Sequence, residues 1–200
     1  VGVAAVEFGF DQWGDVDAVD DDAGQVAVDG RVAGLARAHG FADVVGVGTS
    51  PGLVERARRD LPDVTFRVLA EPPLLPWADA SFDAVLLLAV LTCVPSDAGQ
   101  RRLVGELARV LRPGGVLYVS DLVLQSDERS LARYRRDAGV YGTYGVFEVG
   151  DGVVCRHHRA EWLRGLLEDF SVVASRALVV ESMNGHPLEA LQLLARLPDV

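Results

Sequence analysis

"ELARVLRPGGVLYVSD", Glu106 to Asp121, decides how this chain folds. Its first half completes a pattern in which Leu103, Val104, Leu107, Val110 and Leu111 recur along one helical face. Pro113 cannot continue that helix, and Gly114 and Gly115 permit a sharp reversal. "VLYVSD" then reads as a strand. A helix that closes directly into a strand is the repeating unit of an α/β sheet.

The alternation runs outward in both directions. Upstream, "SFDAVLLLAV" (Ser81–Val90) is a near-continuous apolar run, the pattern of a parallel strand covered on both faces. Ser96 caps the helix that follows it. "QVAV" (25–28), "DVVGV" (43–47) and "VTFRVL" (64–69) are further strands. Between them, "GRVAGLARAHG" places Val32, Leu35 and Ala36 on one helical face. Ser50 and Pro51 start a second helix, with Leu53, Val54 and Ala57 turned inward. The expected architecture is α/β, a Rossmann-like, doubly wound and mostly parallel sheet.

Downstream the character changes. Asp127–Asp137 is helical with a charged outer face, and "EVGDGVV" reads as a hairpin. "AEWLRGLLEDF" is an amphipathic helix and "SVVASRALVVES" a strand. "PLEALQLLARL" has a helix-prone composition, but its position in the fold predicts a final antiparallel edge strand.

Composition narrows the function classes. Two hundred residues suit a single domain over 1–200, with an acidic N-terminal segment (1–24) and a substrate-side cap inserted over 122–160. The net charge of −10 disfavours nucleic acid as a partner. No apolar run is long enough to span a bilayer, and Val1–Phe10 lacks the basic start of a signal peptide. The two cysteines, Cys93 and Cys155, form neither a disulfide framework nor a metal pair, so a cytoplasmic location is expected. The sequence carries no dependable sign of oligomeric state.

Three pieces in order, "VVGVGTSPGLVERAR", "LLPWADASFDAVLLLAVLTCVP" and "ELARVLRPGGVLYVSD", resemble the class I S-adenosylmethionine-dependent methyltransferases, in particular the type 11 group. The resemblance covers about Ala27 to Asp121. It implies the class I methyltransferase fold, S-adenosylmethionine as cofactor and a small-molecule acceptor, with O, N or C as the nucleophile. On this resemblance the cofactor-binding positions are Asp29, Gly30, Gly48, Thr49, Ser50, Glu71, Ala89 and Val90. The family's glycine-rich turn is reduced here to "VAVDGRV", and Gly48 stands where an acidic residue usually holds the ribose. Two readings follow: a turn lost from the protein, or turn residues missing between Val28 and Asp29. The corresponding alternative function is a methyltransferase fold that has lost its cofactor and serves as a binding partner or in another reaction.

His157 and His158 are candidate bases, because imidazole titrates near neutral pH. Asp121, ending the fifth strand, is a third catalytic candidate. For each, a capping or structural role competes with the catalytic one. Tyr141, Tyr144, Phe147 and Arg156 are the candidate substrate contacts, with core packing of the hairpin as the plainer role of the aromatic residues. No metal site is expected: Cys155, His157 and His186 offer fewer ligands than zinc requires.

Overall fold

The computed structural model describes residues 2–7, 30–150, 152–181 and 186–199. The elements in chain order are β1 (Gly2–Glu7), α1 (Arg31–Ala38), β2 (Asp43–Gly48), α2 (Pro51–Asp60), β3 (Thr65–Val68) and β4 (Phe82–Leu88). A single 3-10 turn (Leu91–Cys93) follows, then α3 (Asp97–Val110), β5 (Leu111–Leu122) and α4 (Glu128–Tyr141). The chain continues through β6 (Val146–Gly150), β7 (Val153–Arg156), α5 (Ala160–Gly165), β8 (Ser171–Glu181) and β9 (Pro187–Arg196). Seven strands form one sheet in the order β3-β2-β1-β4-β5-β9-β8; β6 and β7 pair separately. The first five are parallel, whereas β9 runs antiparallel to both β5 and β8.

The central position belongs to Gly2–Glu7, which corrects the expectation that "QVAV" is the first strand. Val3, Ala4, Ala5 and Val6 are each at most 1% exposed. Successive side chains of a strand alternate between faces. Accordingly Val3 and Ala5 join the core beneath α1 and α2, while Ala4 and Val6 join the core on the other face. An unbroken apolar run suits a strand covered on both sides. Gln25–Asp29, and with them Asp29 as a candidate cofactor residue, lie outside the described residues.

Both predicted caps form. The Ser50 hydroxyl accepts from the Leu53 amide at 3.2 Å, and Ser96 accepts from the Gly99 amide at 3.1 Å. Val54 and Ala57 are buried and Leu53 is half-buried. In α1 the inward residues are Val32, Ala33 and Ala36; Leu35 is 57% exposed, contrary to the periodic reading. Gly46 is a packing requirement, because a β-carbon there would run into the Phe66 ring. "PLEALQLLARL" does form an antiparallel strand, but it is interior to the sheet. The edge is β8, whose Val172, Val173 and Val179 are exposed.

The segment between β5 and α5 forms a separate unit. Helix α4 and the β6–β7 hairpin close around Tyr134, Phe147, Val149, Val153 and Cys155. The chain beyond β7 then returns alongside the end of β5: His158 bridges Val123 in parallel, and the Leu124 amide donates to the His158 carbonyl at 2.8 Å. This places the unit beyond the carboxyl end of β5.

Candidate functional site

Ligands of open α/β sheets bind outside the carboxyl ends of the strands, where the strand order reverses. In this sheet the reversal lies between β1 and β4, the first strand having β2 on one side and β4 on the other. The ladder sets Glu7 opposite Gly48, so the acidic residue at this edge ends β1 and not β2. Gly48 is buried at the end of β2. Thr49 follows it and is half-buried, Ser50 is 1% exposed and engaged in capping α2, and Glu71 is exposed in the loop after β3.

Gly30 sits at the start of α1 with a left-handed φ of 79°, a conformation only glycine adopts freely. A β-carbon there would lie 2.9 Å from the Phe66 ring and 3.1 Å from Leu61, so this glycine also lets α1 approach the neighbouring layer.

The segment after β4 is held more tightly than any other part of this edge. Ala89 has φ of 49°, an unusual conformation for a residue with a β-carbon, and its amide donates to the Ser120 carbonyl at 2.7 Å. Val90 is fully buried. The Asp121 carboxylate accepts from the Leu91 amide at 2.8 Å, the Thr92 hydroxyl at 2.6 Å and the Leu122 amide at 2.9 Å. Burial pushes this carboxyl above the usual range, against the lowering pull of His158 and of these donors. Asp121 therefore closes the turn at Leu91–Cys93 and is 1% exposed, not open at a pocket rim.

Gln100, buried in α3, completes the clamp. Its amide nitrogen lies 2.9 Å from the Leu91 carbonyl, 2.8 Å from the Val94 carbonyl and 2.8 Å from His158 Nε2, three acceptors that share its two protons. The amide oxygen accepts from Trp162 Nε1 at 2.6 Å. An indole nitrogen only donates, so Trp162 settles which end of the amide is oxygen. His158 Nε2 must then be an acceptor, and its proton lies on Nδ1, which donates to the Leu122 carbonyl at 3.0 Å. Burial lowers the His158 pKa even with Asp121 nearby, which keeps the ring neutral. Both ring nitrogens are thus engaged in structure.

His157 points to the other side and enters the core of the α4–β6–β7 unit. Its Nδ1 lies 2.6 Å from the Tyr134 hydroxyl. Among the described residues, its Nε2 is the one buried side-chain nitrogen or oxygen without a hydrogen-bond partner. Burial brings the imidazole pKa down to about 3.

The expected substrate contacts divide. Phe147 is fully buried between His157 and Tyr134. Arg156 is 5% exposed, donates to Asp97 at 2.6 Å and to the Pro95 carbonyl at 3.1 Å, and stacks on Trp162. Tyr144 is 36% exposed with its edge against Tyr134, and Tyr141 donates to Glu148 at 3.3 Å. Only the two tyrosines reach the surface. No three His, Cys, Asp or Glu residues gather into a metal-binding group among the described residues. Burial raises both thiols, Cys155 to about 12.

Sequence reasoning passed over Gln100, Tyr134 and Glu7. Gln100 had a signal: it shares a helical face with Leu103, Val104 and Leu107, and a polar residue on an apolar stripe needs partners.

Comparison with known proteins points to methyltransferases of this fold. The methyltransferase domain family matches residues 25–119, so the match begins after β1. The chain is 32% identical over 124 residues to the 2-methyl-6-phytyl-1,4-hydroquinone methyltransferase of a Synechocystis strain, covering 59% of this chain and 38% of that protein. It is 39% identical over 116 residues to the 27-O-demethylrifamycin SV methyltransferase of Amycolatopsis mediterranei, covering 56% and 39%. Aligned segments thus span about two-fifths of the length of these relatives. A SAM-dependent methyltransferase structure from Methanosarcina mazei shares the fold with a TM-score of 0.82, at 20% identity, over 98% of this chain and 93% of that one.

Proposed function

We propose that this chain is a class I S-adenosylmethionine-dependent methyltransferase, which transfers a methyl group from S-adenosylmethionine to a small-molecule acceptor; the methyltransferase domain match over residues 25–119 supports the reading. One observation carries the reading: the clamped segment Ala89–Val94 beside the reversal between β1 and β4. A strained Ala89 persists only where its surroundings over-determine it, and such strain gathers at ligand sites.

The residues at this edge suit the cofactor's chemistry. Buried Leu69 and Val90 supply apolar surface for a purine, and the exposed Glu71 carboxylate suits an exocyclic amino group. Gly48 contributes no side chain, so ribose hydroxyls there are left to Thr49 and backbone groups. The exposed Glu71 carboxylate in the loop after β3 also complements a ligand that carries a sulfonium and an ammonium. When bound, the cofactor supplies an electrophilic methyl group. The protein's own contribution is positioning, which supplies much of the rate in such displacements. Asp121, His158 and Gln100 act on the Ala89–Val94 segment, and the α4–β6–β7 unit covers the acceptor with Tyr141 and Tyr144 at its outer face. No described helix is long and apolar enough to cross a membrane.

Isothermal titration of the full chain with S-adenosylmethionine and S-adenosylhomocysteine tests the proposal. Binding of both is expected. No detectable heat from a folded sample would sink it, and would favour the second reading, for which Gly48 is the specific argument: a fold retained without its cofactor.

A further inference from the structure

Strand β7 divides its side chains between two layers. Val153 and Cys155 enter the core of the α4–β6–β7 unit, and alternation sends Arg156 out of it. Its guanidinium reaches the chain that follows β4. Nη1 donates to the Pro95 carbonyl at 3.1 Å and to Asp97 at 2.6 Å, and Cζ lies 4.8 Å from the centre of the Trp162 ring. Pro95 lies just beyond the turn at Leu91–Cys93, and Asp97 opens α3. The arginine thus fixes the point where that turn passes into the helix.

A second route joins the same two places. The Trp162 ring that Arg156 covers donates through Nε1 to the Gln100 amide oxygen at 2.6 Å. The Gln100 nitrogen in turn lies against the Leu91 and Val94 carbonyls. Arg156 is 5% exposed, whereas the side chain of Asp97, its ion-pair partner, is 55% exposed. Burying a guanidinium against a solvated carboxylate adds little net stability, and an apolar side chain would fill the space beside Trp162 at lower cost. What the planar, charged fork supplies instead is a fixed geometry between the elements it bridges.

We propose that Arg156 is a positioning residue that couples the α4–β6–β7 unit to the Ala89–Val94 segment, so that a ligand bound at the segment also orders the unit. The inference rests on the methyl-transfer reading, in which the segment meets S-adenosylmethionine and the unit covers the acceptor. Arg156 touches neither ligand; it acts through Pro95, Asp97 and Trp162. Such coupling is reciprocal, so an ordered unit raises affinity at the segment by the same factor. The acceptor side therefore takes up its ordered arrangement once the methyl donor is in place.

Amide hydrogen exchange followed by NMR on the full chain tests the coupling, with S-adenosylhomocysteine as the probe and Arg156→Met as the variant. Methionine keeps apolar contact with Trp162 and loses both hydrogen bonds of the guanidinium. The Cys93 and Val94 amides donate to the Val90 and Leu91 carbonyls. Without ligand they should exchange about tenfold faster in the variant, the worth of one net hydrogen bond from a charged group. That acceleration is measured relative to the amides of β2, which lies beyond β1 in the sheet. In the wild type, S-adenosylhomocysteine should slow exchange at Leu91–Val94 and in β6 and β7; in the variant only the first effect should remain. Asp97→Ala, a change at an exposed side chain, should give the same pattern more weakly, and decides the matter if Arg156→Met does not fold. Unchanged Cys93 and Val94 rates, an equal acceleration in β2, or protection of β6 and β7 that survives the substitution would overturn the proposal. If the wild type binds no S-adenosylhomocysteine, the methyl-transfer reading fails, and the ligand-free rates still decide whether Arg156 couples the two elements.

Discussion

Replacing Gln100 by leucine should cost this domain about 3 kcal/mol. The side chain is fully buried, and leucine matches it closely in volume, so little cavity or strain is introduced. What changes is hydrogen bonding. The Leu91 carbonyl and His158 Nε2 lose a donor in buried surroundings, whereas the Val94 carbonyl and the Trp162 indole are only partly enclosed and recover water. Two buried orphans at about 1–3 kcal/mol each give about 2–6 kcal/mol, and the added apolar burial of leucine offsets part of it. Urea unfolding followed by tryptophan fluorescence measures the difference. A loss below about 1 kcal/mol would refute the claim that this amide carries the clamp.

Gln100→Glu separates the orientation argument from simple loss of packing. A carboxylate still accepts from Trp162, but it cannot donate to the Leu91 carbonyl or to His158 Nε2. At pH 8 the variant should be at least as unstable as Gln100→Leu. Acidification should restore part of the loss, because a proton taken by the introduced carboxyl or by His158 re-creates a donor between them. Full stability at pH 8 would mean that His158 Nε2 carries the proton in the native protein, contrary to the tautomer argued above.

Asp121→Asn keeps the shape but turns an amide nitrogen toward the Leu91, Thr92 and Leu122 donors; a loss of about 2–4 kcal/mol in the same urea assay is expected, together with weaker S-adenosylhomocysteine binding in titration. Gly46→Ala must displace the Phe66 ring, and should lower stability by about 2–3 kcal/mol without altering the spectroscopic state of His157. His157 titrates near 6.5 when unfolded and near about 3 when folded. Its contribution is fully present above pH 6.5 and is lost as pH falls toward 3. At pH 5 the loss should reach about 2 kcal/mol, and His157→Phe should flatten the acid limb of the stability profile, leaving the part due to His158, whose pKa is also lowered by burial.

Most of the sheet was legible because its local signals agree. Ser50 and Ser96 cap the helices their positions foretell, and "SFDAVLLLAV" carries the continuous apolar pattern of a strand buried on both faces. The failures have physical causes. "GVAAVE" resembles "QVAV" in local propensity, and only its place between β2 and β4 distinguishes them, which is a long-range property. The same holds for β9, whose helix-prone residues are drawn into strand by pairing on both sides with β5 and β8. Leu35 shows the converse: it satisfies the helical period, yet no neighbouring layer reaches it.

The site was legible as residue types but not as roles. His157 and His158 stood as equivalent candidates in the sequence, and the fold sends their side chains to different partners. What they do was decided by groups distant in sequence. Trp162, through Gln100, makes His158 a satisfied acceptor that locks the segment after β4. Tyr134 engages His157 Nδ1, and Nε2 has no hydrogen-bond partner among the described residues. Two adjacent, buried imidazoles therefore differ in whether Nε2 is engaged: Gln100 holds that of His158, and no described residue bonds that of His157.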